Sequence, residues 1–478
     1  MKGNFIAGEW CGSVTGRVSE RRNPADTREV VAVAPESGAA DVAEAVAAVS
    51  AGYAEWAAKT PEERADVLYR AADIIAAKAD DLARELVREE GKTLAEALGE
   101  TRRTPANLRF YAGEALRLTG ETFPSPDGGL VLTLREPVGV VGAITPWNFP
   151  LNIPSRKLAP ALAAGNGVVY KPSEITPLTG QRLVEALLDA GLPAGAIALV
   201  QGGGEAGAAL AADERVAAVT FTGSTAVGQS IQRAMGPSRR AQLEMGGKNP
   251  VVVLEDADLD RAAGLIARGA FGLSGQACTG TSRVIVHEAV HDELAERLAA
   301  AARSRTVGDG LADGVDMGPL ATAEQAAKTR RYVSGAAADG AVLYAGDEPL
   351  PEGTGHGHFA RPVILTSVDP ASPVAREEVF GPVVAVLRAG SLDEAIEIAN
   401  GTEYGLSAGI VTSDIGRAVT FARRVASGIV KVNQPTTGFA MYAPFGGMKN
   451  SSTQTFKEQA GETMMRFYTA DKTLYVSA

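Results

Sequence analysis

Residues 138–172 read VGVVGAITPWNFPLNIPSRKLAPALAAGNGVVYKP, and short apolar strands open and close this stretch. Three more apolar segments follow along the chain, AIALVQG (196–202), VAAVTFTG (216–223) and NPVVVL (249–254). Helical stretches such as LTGQRLVEALLDAG (178–191) separate them. Strands that alternate with helices in this way are typical of βαβ units. The sequence therefore predicts an α/β fold with an open parallel sheet.

The same alternation resumes in the second half of the chain. A helix is expected at about residues 258–273, followed by strands at 283–287 and 383–387 and a last strand near 429–433. We therefore expect two open-sheet α/β domains.

Two strand-like segments lie outside this alternation. Residues 130–144 are rich in strand-forming residues, with Pro137 and Gly139 at a corner or an edge. Residues 467–476 are again strand-like. We expect the two segments to pair as a small β arm.

Residues 61–92 predict one long helix upstream of the first sheet. Thr60 and Glu63 have the spacing of a capping box, and apolar residues recur on one face. Gly91 is expected to end this helix.

Composition excludes several classes of function. The chain has 478 residues, 45% of them apolar and 22% charged, which fits a soluble globular protein of about three structural units. A formal net charge of −11 disfavours nucleic acid and anionic membranes as partners. The two cysteines, Cys11 and Cys278, have no metal-ligand spacing, and neither a signal peptide nor an apolar run of about 18 residues is present. We expect a cytoplasmic protein that binds neither membrane nor nucleic acid.

Three residues could take part in nucleophilic catalysis. Cys278 lies in SGQACTGTSR between a helix and a strand, and is either a thiolate nucleophile or an inert buried residue. Glu244 in LEMGGKNP is either a carboxylate that faces a cleft or a solvated residue at a strand end. Asn148 in TPWNFP could donate its amide to a developing oxyanion or could simply form a turn.

Two segments could form parts of a dinucleotide-binding site. In VTFTGSTAVG, a strand leads through Gly223 and Ser224 into a helix, whose free backbone N–H groups could face a pyrophosphate. A P-loop is disfavoured because Gln229 stands where the phosphate-binding lysine would be. Lys171 and Glu174 in YKPSE could bind a ribose or form a surface ion pair.

The segment HEAVH matches the HExxH signature of zinc proteases. That signature needs both histidines on one face of a continuous helix. Here His287 ends the strand RVIVH, and the helix begins only after it, so the imidazoles of His287 and His291 should diverge. No metal site is predicted.

Taken together, the motifs resemble those of the aldehyde dehydrogenase superfamily, in family order along nearly the whole chain. They are TPWNFP, KPSE-TPL, FTGST--G, LE-GGK-P, GQ-C, EE-FGPV (377–383), N-T-YGLSAGI (400–410) and PFGG (444–447). The resemblance implies a Rossmann-like cofactor domain, a catalytic domain and a small β oligomerisation domain. Their expected ranges are 1–118 with 140–246, then 247–460, and 119–139 with 461–478. It also implies a homodimer or a homotetramer.

The resemblance assigns roles to these residues. Cys278 would be the nucleophile, Asn148 an oxyanion donor together with the Cys278 backbone N–H, and Glu244 the base that activates water for thioester hydrolysis. Glu244 also argues against the CoA-acylating relatives. Lys157 matches a lysine linked to proton transfer. The cofactor would be NAD, with NADP possible, and its expected contacts are Trp147, Lys171, Glu174, Gly223, Ser224, Glu378 and Phe380.

Within the superfamily, VNQPTTG, CTGTSR and the terminal FYT--KT-YV are most similar to α-ketoglutaric semialdehyde (2,5-dioxovalerate) dehydrogenases. Arg156 stands where such enzymes place an arginine for the distal carboxylate, whereas Gly272 occupies the position of a second arginine found in some of them. A dicarboxylic semialdehyde is therefore the expected substrate. The alternatives are a dehydrogenase for neutral aliphatic or aromatic aldehydes and a catalytically silent binding or structural protein.

Overall fold

The computed structural model describes residues 1–453, 455–458 and 460–477. The strands, in chain order, are β1 (Asn4–Ile6), β2 (Glu9–Cys11), β3 (Val18–Arg22), β4 (Val30–Pro35), β5 (Thr122–Phe123), β6 (Leu130–Pro137), β7 (Val140–Ile144), β8 (Gly167–Lys171), β9 (Ile197–Leu199), β10 (Val216–Thr222), β11 (Arg240–Glu244), β12 (Asn249–Val253), β13 (Thr281–His287), β14 (Val342–Ala345), β15 (Val363–Thr366), β16 (Val383–Ala389), β17 (Tyr404–Gly405), β18 (Ser407–Val411), β19 (Ile429–Val432), β20 (Met448–Lys449) and β21 (Thr469–Val476).

The α-helices, in chain order, are α1 (Ala39–Ala57), α2 (Pro61–Ala77), α3 (Ala79–Glu90), α4 (Leu94–Ala115), α5 (Asn152–Ala163), α6 (Pro177–Asp189), α7 (Gly204–Ala212), α8 (Thr225–Met235), α9 (Leu259–Phe271), α10 (His291–Arg303), α11 (Ala323–Ala338), α12 (Pro373–Arg376), α13 (Leu392–Asn400), α14 (Ile415–Arg424) and α15 (Gly461–Phe467).

The first sheet has the strand order β11-β10-β7-β8-β9-β1-β2. The five strands from β11 to β9 pair in parallel, which confirms the predicted open parallel sheet. The N-terminal hairpin β1–β2 adds an antiparallel edge that the sequence did not predict. Every residue of β7 and β8 is buried, as expected for parallel strands covered by helices on both faces.

The second sheet has the order β14-β15-β16-β13-β12-β18-β19. All of its pairings are parallel except that of the edge strand β14 with β15. The predicted second α/β unit is therefore present, with β13, β16 and β19 at the expected places. The chain passes from one sheet to the other between Glu244 and Asn249.

A third, three-stranded sheet is formed by β21, β6 and β5. β21 runs antiparallel to β6 in unbroken register from Thr469 opposite Pro137 to Val476 opposite Leu130. Gly139, with φ of 119°, turns the chain from this sheet into the first one. The predicted pairing is confirmed for residues 130–137, and the predicted corner is present, but residues 140–144 belong to the first sheet and not to the arm.

The single helix predicted for residues 61–92 is wrong in one respect, because the structure has two helices there. The capping box at Thr60 and Glu63 is present, and Gly91 ends the second helix in a left-handed conformation. Between them Lys78 leaves helical geometry (φ −103°, ψ 10°). Because both segments are amphipathic, a periodic pattern read along the sequence gives no sign of this break.

The carboxyl ends of β7, β8, β10 and β11 meet at one edge of the first sheet. Ligands of open α/β sheets bind in the crevice outside this edge. Helix α5 leaves the loop after β7 and is buried along its whole length. Among the described residues, none of the helices is long and apolar enough to cross a membrane.

Gly167, the first residue of β8, lies directly beneath α1. A Cβ there would lie 2.5 Å from Val49 Cγ1 and 2.7 Å from Tyr53 Cβ, so Gly167→Ala must push α1 off the sheet. We expect a loss of about 1–3 kcal/mol, measured as a lower Tm in thermal unfolding. The control is Gly335→Ala on the exposed side of α11, where a Cβ meets nothing within 4 Å. That change should leave Tm unchanged or raise it, and equal Tm values for the two variants would contradict this account.

Candidate active site

Cys278 lies between two cavities. One, of about 310 Å³, is lined mainly by α4, α5 and the chain around residues 437–445. The other, of about 190 Å³, lies at the carboxyl edge of the first sheet. Cys278 lines both. The thiol can therefore meet one reactant from each side.

The loop before Cys278 has an unusual backbone. Leu273 and Ser274 have φ of 53° and 54°, and Gly275 follows at 73°. Left-handed conformations cost non-glycine residues free energy and persist only where the surroundings enforce them. Gly275 is required for a second reason, because a Cβ there would lie 2.2 Å from the Gly381 carbonyl oxygen.

Burial raises the pKa of the Cys278 thiol to about 12, and the nearby Glu378 carboxylate adds to the effect, while Arg156 opposes it. The thiol is therefore protonated at neutral pH in this state of the site. Reaction as a thiolate requires that its proton be removed or that positive charge arrive beside it.

Asn148 lies beside Cys278 in the smaller cavity. Its amide Nδ2 donates to the Gln276 carbonyl oxygen at 2.9 Å, which ties the loop after β7 to the cysteine loop. An amide nitrogen carries two hydrogens, so this bond leaves one for another acceptor. The position suits an oxyanion donor.

Glu244, the last residue of β11, is buried beneath the chain that carries Ser452. The Ser452 hydroxyl donates to Glu244 Oε1 at 2.6 Å, and Oε2 has no hydrogen-bond partner in the described part of the chain. Burial raises the pKa of Glu244 to about 8, and the negative charge of Glu458 contributes. Glu244 is thus a carboxyl that is mostly neutral at pH 7 and becomes a base above it, not a solvated strand end.

Glu458 is a site residue that the sequence analysis missed. It is buried and accepts from Lys157 Nζ at 2.9 Å, while Arg156 Nη1 lies 3.6 Å from its other oxygen. Burial alone would raise the pKa of Glu458, but Lys157 and Arg156 outweigh it and hold this pKa below its usual range. Lys157 also donates to the Thr220 hydroxyl at 3.0 Å. Glu458 is therefore ionised at neutral pH.

Arg156 lines the larger cavity together with Cys278. Its guanidinium lies 4.7 Å from the ring centre of Phe439 and 5.7 Å from that of Phe445, and only 4% of the residue is exposed. Its Nε and Nη1 have no hydrogen-bond partner in the described part of the chain. Two more arginines, Arg103 on α4 and Arg268 on α9, line this cavity and were not predicted.

The smaller cavity brings together most of the expected cofactor contacts. Its lining includes Trp147, Gly223, Ser224, Glu378 and Phe380. The Trp147 and Phe380 rings meet edge to face at 5.5 Å, and Glu378 Oε1 accepts from the Gly247 N–H at 3.0 Å. Gln325 and Lys328 also line it and were not predicted.

The N-terminus of α8 opens toward this side of the site. Ser224 caps the helix without a side-chain hydrogen bond to it, and the half-buried Thr225 follows as the first residue of the helix. Both residues line an adjoining cavity of about 620 Å³. A helix N-terminus with unused donors fits a phosphate group, so these residues fit a dinucleotide.

Lys171 and Glu174 lie at the end of β8 but line neither cavity around Cys278. Lys171 is buried and donates to the Gly202 carbonyl oxygen at 2.6 Å, and its Nζ lies 3.7 Å from Glu174 Oε2. The Glu174 side chain is 52% exposed. The ion pair that the sequence offered as an alternative is therefore formed, and Glu174 remains accessible.

The HEAVH segment has the predicted geometry, in which His287 ends β13 and α10 begins at His291. The two histidines are not on one continuous helix.

Comparisons with known proteins agree along nearly the full length. The aldehyde dehydrogenase family model matches residues 10–474. The chain is 44% identical to the α-ketoglutaric semialdehyde dehydrogenase of Bacillus subtilis over 99% of this chain and 97% of that protein. It is 44% identical to the 2,5-dioxopentanoate dehydrogenase of Saccharolobus solfataricus over 95% of each. Among solved structures, PnpE from Pseudomonas sp. WBC-3, in complex with nicotinamide adenine dinucleotide, is 36% identical, with a TM-score of 0.95 over 100% of this chain and 98% of that one.

These matches confirm the resemblance drawn from the motifs. The chain belongs to the aldehyde dehydrogenase family and is an enzyme that oxidises aldehydes with a nicotinamide cofactor.

Proposed function

We propose that the enzyme oxidises a dicarboxylic semialdehyde, in particular α-ketoglutaric semialdehyde, to the dicarboxylate through a thioester on Cys278. The observation that carries this proposal is the buried guanidinium of Arg156, which faces the cavity of Cys278 with unused donors. The names of the relatives from Bacillus subtilis and Saccharolobus solfataricus support it.

The charge balance around Arg156 favours an anionic substrate. Arg156 and Lys157 supply two positive charges, and Glu458, whose pKa is lowered, supplies one negative charge. Glu244 adds little negative charge at pH 7 because its pKa is raised to about 8. Arg156 and Lys157 therefore share the single carboxylate of Glu458, and buried positive charge in excess of its negative partners is costly. A carboxylate on the substrate would pair with Arg156 and accept hydrogen bonds from its unused N–H groups.

The first half of the proposed reaction uses Cys278 and Asn148. The Cys278 thiol gives up its proton to water, and its sulfur forms a bond to the aldehyde carbon. The carbonyl oxygen becomes an oxyanion that accepts from the free Asn148 amide hydrogen and the Cys278 backbone N–H. Trp147, Gly223, Ser224, Glu378 and Phe380 would hold the cofactor on the far side of the sulfur. When bound there, the nicotinamide supplies a hydride acceptor.

The second half uses Glu244. A water molecule attacks the thioester carbon while Glu244 takes its proton, the C–S bond breaks, and the acid leaves. A carboxyl with a pKa of about 8 is a suitable base for water in mildly alkaline solution. Lys157 is bonded to Glu458 and not to Glu244, so a proton that moves from Glu244 to Lys157 would pass through Glu458. Because Glu244 is present, we assign a hydrolytic enzyme and not a CoA-acylating one.

We also propose the domain organisation and assembly implied by the motifs. The cofactor domain would comprise residues 1–118 and 140–246, the catalytic domain 247–460, and the oligomerisation domain 119–139 with 461–478. The three-stranded sheet of the last of these carries exposed apolar side chains on β21, including Tyr475, which is 75% exposed. Such a face suits pairing of two subunits, in a homodimer or a homotetramer.

Glu244→Gln should separate the two halves of the reaction. We expect a burst of up to about one NADH per active site, followed by a stall, because acylation needs Cys278 and hydrolysis needs the base. The wild-type steady-state rate should rise with pH through about 8 as Glu244 ionises, and the variant should lose this rise. Stopped-flow absorbance at 340 nm measures both. Cys278→Ala is the control and should give neither burst nor turnover, and a burst from it would remove the thioester from the scheme.

Arg156→Met should reveal the class of substrate. We expect kcat/KM for α-ketoglutaric semialdehyde to fall about 10- to 100-fold, mainly through KM, which corresponds to about 1.5–3 kcal/mol for a hydrogen bond to a charged group. A neutral aldehyde of similar length should change little. Arg103→Met is the matched control, because Arg103 also stacks on Phe439 but is exposed at the rim. Equal losses of Arg156→Met on both aldehydes would favour a dehydrogenase for neutral aldehydes.

Glu174→Ser should shift the choice of cofactor. We propose that the exposed Glu174 carboxylate accepts hydrogen bonds from ribose hydroxyls and repels a 2′-phosphate, so that NAD is preferred over NADP. The variant should raise the ratio of kcat/KM for NADP to that for NAD. A wild-type enzyme that prefers NADP would overturn this assignment of the pocket.

A further inference from the structure

We infer that the first two turns of α4 are a positioning element for the reaction, in which Glu96 holds the cysteine loop and Glu100 holds the loop that carries Asn148. The inference rests on the proposed roles of Cys278 and Asn148. Neither glutamate belongs to the residue set assigned above, and each has a carboxylate oxygen bonded to the backbone of one of the two reactive loops.

Glu100 forms hydrogen bonds to the backbone on one side of the Asn148 loop. It is 4% exposed, and its Oε1 accepts from the N–H groups of Leu151 and Asn152 at 2.9 and 3.0 Å. These two donors belong to the first turn of α5. Their position fixes where α5 begins and therefore where the preceding residues lie.

Lys92 forms a hydrogen bond to the same loop on its other side. Its Nζ donates to Glu100 Oε2 at 2.5 Å and to the Asn148 carbonyl oxygen at 2.8 Å. Lys92 is completely buried, and Glu100 is the nearer of its two partner charges, since Glu90 Oε2 lies 3.9 Å away. The Lys92–Glu100 pair therefore holds the backbone of residues 148–152 at both ends.

Glu96 lies one helical turn earlier and holds the cysteine loop. Its Oε1 accepts from the Leu273 N–H at 2.7 Å, at the first of the left-handed residues. Its Oε2 accepts from the Thr93 N–H at 2.9 Å in the capping box of α4. The capping box alone would explain only one oxygen of Glu96. The other oxygen binds the cysteine loop, whose left-handed residues need an external partner to keep their conformation.

The two carboxylates are four residues apart on one rigid helix, which sets a fixed spacing between the loops that they hold. The bond from the Asn148 amide to the Gln276 carbonyl oxygen joins those loops directly. A productive oxyanion contact tolerates only small errors in position. The first two turns of α4 thus set the placement of the donor Asn148 relative to the nucleophile Cys278.

A double-mutant cycle tests the role of Glu100. Glu100→Gln keeps the shape of the side chain but weakens its hold on Lys92 and on α5. We expect kcat to fall about 10-fold or more in the wild-type background and by less than about twofold in the Asn148→Ala background, because the effect passes through that amide. The substrate is the aldehyde that the wild type turns over fastest. An equal fall in both backgrounds, or no fall in either, would overturn the inference.

A second measurement tests Glu96 without relying on aldehyde turnover. Glu96→Ala frees the Leu273 N–H, and we expect the rate at which iodoacetamide alkylates Cys278, followed by peptide mass, to change by about threefold or more. The matched control is Asp256→Ala. Asp256 accepts from the N–H groups of Ser413 and Asp414 at the opposite end of β12 from Cys278. An unchanged rate in Glu96→Ala, or an equal change in the control, would contradict the role of Glu96.

The failure of this inference can be distinguished from failure of the proposed function. Asn148→Ala and Cys278→Ala alone report whether the oxyanion donor and the nucleophile are assigned correctly. If both lose turnover while Glu100→Gln and Glu96→Ala behave like the control Asp256→Ala, the proposed function stands and the positioning role is wrong. Thermal unfolding of each variant separates loss of fold from loss of alignment.

Discussion

Helix α5 brings two adjacent cations, Arg156 and Lys157, into the interior, and a buried charge is tolerated only with a partner. The partner is Glu458, which lies 301 residues along the chain from Lys157. The ion pair between Lys157 and Glu458 brings the chain that follows β19, the last strand of the second sheet, back over the edge of the first sheet. The same segment supplies Ser452 to Glu244 and Phe445 to Arg156. Much of the site is therefore assembled around one ionic contact.

This contact also gives two buried carboxyls, Glu458 and Glu244, different protonation states. Glu458 has two cations beside it and stays ionised, whereas Glu244 has a hydroxyl and the repulsion of Glu458 and is easily protonated. Two carboxyls in one region thus have different charges at the same pH because their neighbours differ. The difference leaves Glu244 able to take up and release a proton near neutral pH, while Glu458 rests in its ionised form.

The sequence predicts the parallel sheets well, because buried strands have continuous apolar runs and helices separate them. It does not predict which loops meet. In the structure, Asn148, Gly223 and Glu244 lie at one edge of the first sheet because its parallel strands end there. Glu458 could not be found from such patterns. Its segment has no periodicity, and its partner is fixed by tertiary folding and not by spacing. Arg268 was missed for a similar reason, since a basic residue in the last turn of a helix is common.

The thiol of Cys278 forms part of the wall of two separate cavities. The partition between the two cavities is thus about one side chain thick. A single molecule that spans both cavities would have to pass the sulfur atom, and this makes the cysteine the natural point of attachment for a covalent bisubstrate inhibitor.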